Sequence, residues 1–171
     1  VNYNLPVPES YPSVYLKAME RYSRNGEITI TEFRSKKEIK PIIIPVLELM
    51  NQTFRNIYGY VPLNDAEKEE FASRYLPILD PEFVKIAKSK NEFVGFVVAL
   101  PDMTPGIIAA RGLLFPLGIF RILKEMKKST KLMLMLGGVR EDYRGKGIDV
   151  MMAMKLIESA RKHNKNTIDS H

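Results

Sequence analysis

LMLMLGGV at residues 132–139, REDYRGKG at 140–147 and IDVMMAMKL at 148–156 read in succession as a strand, a loop and a helix. The first is an apolar run, and the last opens a series in which Ile148, Met151, Met152, Leu156 and Ala160 recur at helical spacing. Gly145 and Gly147 stand one residue apart where that helix begins, so the backbone can turn tightly and leave several amide N–H groups without an internal partner. The helix dipole adds partial positive charge there, Arg144 and Lys146 add full charges, and a phosphate or pyrophosphate is the guest that suits such a bend. The spacing is not that of a Walker loop, which needs Gly-Lys-Ser/Thr after four spacers, nor that of the dinucleotide fingerprint, whose first glycine lacks its partners here. A plain sharp turn flanked by solvated basic residues is the other reading of the same residues.

Working outward, residues 167–171 hint at one further strand after the helix. Before the motif, residues 105–126 are unusually apolar and predict two helices with Pro105 and Pro116 near their starts. Residues 83–88 and 92–100 are strand-like and joined by the polar turn Ser89-Lys90-Asn91, which predicts an antiparallel hairpin. Asn64, with Glu67 three residues on, caps a helix running through Phe71, Ala72 and Tyr75 and closed by Pro77 and Pro81. Ser35 and Glu38 share that spacing, but Pro41 and Pro45 predict a short turn and a helix restarted at Pro45, with Val46, Leu47, Met50, Phe54 and Ile57 on one face. Residues 27–33 read as a first strand after the Asn25-Gly26 turn, and the proline-rich start reads as an extended linker followed by a short helical pattern over 13–22.

Composition narrows the chemistry. With 171 residues, 45% hydrophobic and 27% charged, the chain suits one domain that folds in water, and disorder, collagen-like repeats and a membrane-embedded class are excluded. It has no cysteine, so disulfides, thiolate metal sites and cysteine nucleophiles are out, and only two histidines, His163 and His171, leave too few imidazoles for a multi-histidine metal centre. A net charge of +6 and a pI near 9.4 favour an anionic partner. No apolar run reaches spanning length and the start lacks a signal-peptide layout, so a cytoplasmic location is expected. The chain opens with Val1 rather than Met, which fits a processed or excised piece of a longer protein.

The segment 139–148, VREDYRGKGI, resembles the acyl-CoA-binding motif of the GCN5-related N-acetyltransferases: Arg or Gln, two residues, Gly, one residue, then Gly or Ala. The order strand, two helices, hairpin, strand, motif, helix, strand is similar to that family's core over roughly residues 27–171. The resemblance implies an α/β fold with a mixed, mainly antiparallel sheet and helices on both faces. It also implies an N-terminal arm over 1–26, an acyl-CoA-binding domain over 27–171 that is incomplete at its C-terminus, and a helical insertion at 101–130. By this resemblance Arg144, Gly145, Lys146, Gly147, Ile148 and Asp149 would hold the CoA pyrophosphate, and Gly138 and Val139 would pair with the pantetheine arm. The implied reaction is acyl transfer, acetyl from acetyl-CoA, to an unidentified primary amine, without a metal. The amine would lose its proton to a carboxylate or through water, and a tyrosine usually protonates the departing thiolate.

Three features depart from the family. Asp149 stands where a small residue is usual; its carboxylate suits the helix dipole but repels a pyrophosphate. The chain reaches only His171, about where the family's fifth strand begins, which leaves the customary tyrosine out. The insertion replaces a short turn and reads either as a cap on an acceptor pocket, a dimer face or a lipid contact, or, more plainly, as Ile107, Leu113, Leu114, Phe115, Phe120 and Leu123 packing on the sheet or on other parts of a larger protein, with a homodimer or an additional domain as the implied partners.

The remaining candidates have plainer readings. Arg121, Lys124, Lys127, Lys128 and Lys131 read as a solvated helix face; no interleaved aromatic supports nucleic acid, and a membrane surface is the better of the two lesser readings. Glu141 and Asp142 beside Arg140 and Arg144 read as exposed ion pairs, Tyr143 as packing, Tyr58 and Tyr60 as candidates to line an acceptor site, and His163 as an ordinary helix-end histidine. Met133, Met135, Met151, Met152 and Met154 read mostly as core. The leading function is acyl-CoA-dependent N-acyl transfer; the rivals are a non-catalytic structural module of a larger protein and a basic, apolar binder of membrane surfaces.

Overall fold

Six runs of the chain pair into one sheet in the computed structural model, which describes residues 3–11, 13, 15–17, 27–109 and 118–170. The strands are β1 (Tyr3–Pro6), β2 (Ile28–Glu32), β3 (Val84–Ser89), β4 (Glu92–Pro101), β5 (Lys131–Val139) and β6 (Thr167–Ser170), in the spatial order β1-β6-β5-β4-β3-β2. Only β5 and β6 run parallel; the other neighbours are antiparallel. The helices are α1 (Lys36–Ile39), α2 (Ile43–Phe54), α3 (Asp65–Tyr75), α4 (Thr104–Ala109), α5 (Gly118–Lys128) and α6 (Ile148–Lys162). The result is a mixed, mainly antiparallel sheet with helices on both faces, as the sequence predicts.

Each face has its own core. On one, Ile148, Met152, Leu156 and Ala160 of α6 pack against Ala87, Val97 and Leu132 of the sheet and Phe83 just before β3. On the other, Leu47, Met50 and Ala72 of α2 and α3 pack with Ile39 against Val84, Ile86 and Phe96. Each fully buried aliphatic or aromatic side chain contributes about 1.5–3 kcal/mol, so both layers are needed to hold a sheet of this size.

Local rules explain most element ends. The Asn64 side chain accepts from the Glu67 N–H at 3.0 Å while the Glu67 carboxylate accepts from the Asn64 N–H at 2.8 Å, a complete capping box. At Ser35 only half a box forms: Glu38 accepts from the Arg34 N–H, and the Ser35 hydroxyl donates to Glu38 instead of capping. Helix α2 begins at Ile43, two residues before the predicted start, because Pro45 still lies within the first turn, where no N–H has an intrahelical partner to lose.

The start of the chain differs from its reading as a linker. Tyr3–Pro6 is an edge strand paired with β6, a place where a proline is tolerated because its missing N–H faces away from the sheet. Beyond it, the Tyr11 hydroxyl donates to Met154 O at 2.9 Å and the Arg161 guanidinium lies over the Tyr11 ring, so this segment lies along α6. The Asn25-Gly26 turn and the second half of the 13–22 pattern fall outside the described residues. Among the described residues no helix is long and apolar enough to cross a membrane.

Candidate functional site

A slip in strand register builds the site. Val98 pairs with Leu136 but Ala99 pairs with Leu134, leaving Met135 as an extra residue on β5. Such a bulge re-aims the side chains that follow it: Leu132 and Leu134 pack on the α6 face, while Leu136 joins the core under α2 and α3. The parallel pairing of β5 with β6 runs to Leu134 and Ser170, just short of the bulge. From Met135 onward that side of β5 has no strand partner among the described residues, and Met135 and Gly137 are exposed.

The ladder fixes which peptide groups face this free edge. Arg140 N–H donates to Val94 O at 2.9 Å, which makes Val139 and Gly95 a non-hydrogen-bonded pair and Gly138 and Phe96 a bonded one. The peptide groups of Gly137 and Val139 therefore point to the free edge, and those of Gly138 point to β4. Consistently, Val139 O accepts from Arg144 Nε at 3.3 Å. Gly138 serves by its missing side chain: a Cβ there would sit 3.0 Å from both Thr53 Oγ1 and Phe96 Cε1.

Next comes the bend. Glu141–Tyr143 makes one 3-10 turn, and Gly145 (φ 74°) and Gly147 (φ 72°) take the left-handed conformation that favours glycine. Gly147 is the N-cap residue of α6 without any side-chain cap. Among the described residues, no partner accepts from the backbone N–H groups of residues 145–150. Ile148 is buried and pins the helix start to the sheet, while Asp149 is exposed in the first turn.

Charge around the bend is sorted. Arg140 is taken up by Asp142 at 2.8 Å and Glu92 at 2.9 Å, and these bonds hold its guanidinium proton even more firmly than usual. In return Arg140 holds the Asp142 carboxyl below the ordinary carboxylate range. Arg144, three residues before Gly147, stands where the acetyltransferase pattern has Arg or Gln. With Lys146 it supplies the positive charge at the bend, both being exposed and without a salt bridge among the described residues. Lys146 lies 4.3 Å from the Tyr143 ring centroid and Arg140 lies 4.8 Å from it; Tyr143 itself packs on the α6 core. The bend thus presents N–H donors without partners among the described residues beside two exposed cations.

The other candidates lie apart from it. Glu141 is exposed, 3.9 Å from Arg55. Tyr58 is fully exposed, and the Tyr60 hydroxyl donates to Asn51 Oδ1 at 2.7 Å with burial raising its pKa. Asn51 also accepts from Leu63 N–H and donates to Leu63 O, clasping the segment between α2 and α3; only a polar residue amid the apolar face of α2 hinted at it. His163 pairs with Glu82 at 3.4 Å and lies edge-on to Phe83. Of the basic run, Lys124, Lys127 and Lys128 are exposed on α5, whose Ile122 and Met126 are buried while Phe120 is 69% exposed. Among the described residues no three acidic or histidine groups gather as a metal site.

One feature escaped the sequence altogether. Between the sheet and α1–α3 lies a cavity of about 210 Å³ whose walls include Ile42, Val46, Met50, Phe71, Phe96 and Leu136. Met135, 43% exposed, also lines it, so the bulge residue borders both the cavity and solvent.

This architecture has known counterparts. The chain superposes on the C-terminal domain of a putative lysylphosphatidylglycerol synthetase from Agrobacterium fabrum with a TM-score of 0.61 and 9% identity, covering 98% of this chain and 44% of that one. It superposes on the diaminobutyrate acetyltransferase EctA from Paenibacillus lautus, solved with its substrate and coenzyme A, with a TM-score of 0.51 and 18% identity over 84% of this chain and 64% of that one. In sequence it is 27% identical over 118 residues to protein YghO of Escherichia coli and 25% identical over 118 residues to a bacterial ceramide synthase of Caulobacter vibrioides. Those matches span 67% of this chain and 30% of each relative. No family profile matches. The chain has the fold of the GCN5-related N-acetyltransferase superfamily.

Proposed function

We propose, from that shared fold and the bend described above, that the chain is an acyl-CoA-dependent N-acyltransferase domain acting on a primary amine, with acetyl-CoA as the reference donor. One observation carries the reading: a row of N–H donors without partners among the described residues at the start of α6, beside the exposed Arg144 and Lys146. The N–H groups of residues 145–150, with Arg144 and Lys146, would bind the pyrophosphate. The outward peptide groups of Gly137 and the N–H of Val139, whose carbonyl accepts from Arg144, would pair with the amides of the pantetheine arm, carrying the thioester toward the bulge. There the amine nitrogen attacks the thioester carbonyl carbon, the C–N bond forms and the C–S bond breaks. The proton lost from nitrogen ends on the departing sulfur, directly or through water. Asp149 is accommodated because it is exposed and free to turn toward solvent.

Calorimetric titration tests this. Acetyl-CoA and free CoA should bind saturably, and Gly147→Asp, which puts a carboxylate on a left-handed residue at the anion site, should weaken both by more than about tenfold while circular dichroism shows the fold retained. A folded wild-type chain that binds neither would favour the rival reading, a structural module without catalysis.

A further inference from the structure

We infer that the cavity beneath the bulge holds the hydrocarbon tail of a fatty acyl thioester, so that the donor is a medium- or long-chain acyl-CoA. This rests on the CoA reading of the bend and deepens it. The first argument is chemical. Every side chain lining the cavity is aliphatic, aromatic or methionine, and the Tyr75 hydroxyl is the single polar group among them. An amine or a headgroup placed there would lose its water without gaining a partner, whereas an alkyl chain loses nothing. Protein interiors are normally packed to the density of organic crystals, and an apolar space of about 210 Å³ is one that an apolar guest fills without losing a hydrogen bond. An acetyl group would leave it empty.

The second argument is position. Leu136 and Gly137 are consecutive residues of β5: the first sends its side chain into the cavity wall, and the second turns its peptide group to the edge proposed for the pantetheine arm. The bulge residue Met135 directly precedes them, lines the cavity and is exposed. A thioester lying along the edge therefore reaches the bulge with its acyl group beside the cavity. Two methionines in the wall, Met50 and Met135, are unbranched and can conform to tails of different length.

The third argument concerns the other face. On the α6 side of the same sheet Leu132, Ile148, Met152 and Leu156 are all buried, and the cleft at the far end of α6, between Phe83, His163 and Lys165, also carries Asp80 and Lys127, so the apolar space lies on the side that the bulge feeds.

The test compares free CoA, acetyl-CoA, hexanoyl-CoA and decanoyl-CoA by calorimetry on the wild-type chain and on Val46→Phe, which fills the cavity from α2. In the wild type, affinity should rise with each added methylene by up to about fourfold until the cavity is full. In Val46→Phe that rise should disappear while the affinity for free CoA is kept. Should Val46→Phe not fold, Val98→Leu adds one methylene from the opposite wall and should shorten the longest tail that still gains affinity. Equal affinity for acetyl- and decanoyl-CoA, with free CoA binding intact, overturns the tail assignment and leaves the CoA reading standing. Binding of no CoA species overturns both.

Discussion

The two faces of the sheet are built from similar residues and packed to different ends. Under α6, Leu132, Ile148, Met152 and Leu156 are all buried against the sheet, and the helix carries its glycine-capped start to a fixed place beside β5. Under α2 and α3 an equally apolar set leaves a cavity. Met135 is the hinge of the difference, because the bulge moves Leu136 from the first face to the second. One face positions the bend proposed to accept an anion, and the face with the apolar cavity lies next to the edge where an acyl group would emerge.

Paired truncations would break or sharpen this contrast most strongly. Leu132 is fully buried in the α6 face, so Leu132→Ala should cost about 3 kcal/mol, the lost transfer energy plus a new cavity. Leu136 already borders open space and is only partly buried, so Leu136→Ala should cost about 1 kcal/mol. Urea unfolding of both measures the gap; equal losses would mean that the faces are packed alike.

A smaller effect probes the bend. Arg140 depresses the pKa of Asp142, so the ionised carboxylate is favoured in the folded state. Its stabilisation is present above the unfolded carboxylate pKa and is lost as pH falls through the depressed folded value. The pair is exposed, so the effect is small. The stability of wild type minus that of Asp142→Asn should be positive near neutrality and vanish in acid; a difference constant with pH would detach Asp142 from the ordering of the loop.

Much of this was legible because it depends on neighbours in sequence. The Asn64 and Glu67 capping box, the hairpin around Lys90, whose φ is 53°, and the two left-handed glycines each follow from residues within four positions of one another. What stayed hidden depends on distant pairing. Strict alternation puts Leu132, Leu134 and Leu136 on one face, and nothing in the residue types at 132–139 announces that β4 and β5 slip by one at Met135. Tyr3–Pro6 becomes an edge strand only because β6, more than a hundred and fifty residues away, offers it a ladder. The cavity is enclosed by three helices and the sheet, and no single segment carries its signature.

Amide-resolved NMR of the chain titrated with free CoA tests the central claim most directly. The account predicts saturable shifts concentrated at the N–H groups of residues 145–150, with smaller ones at Gly137 and Val139 and none across the buried face of α6. Saturable shifts that leave residues 145–150 unmoved, or no shifts at all in a folded chain, would contradict it.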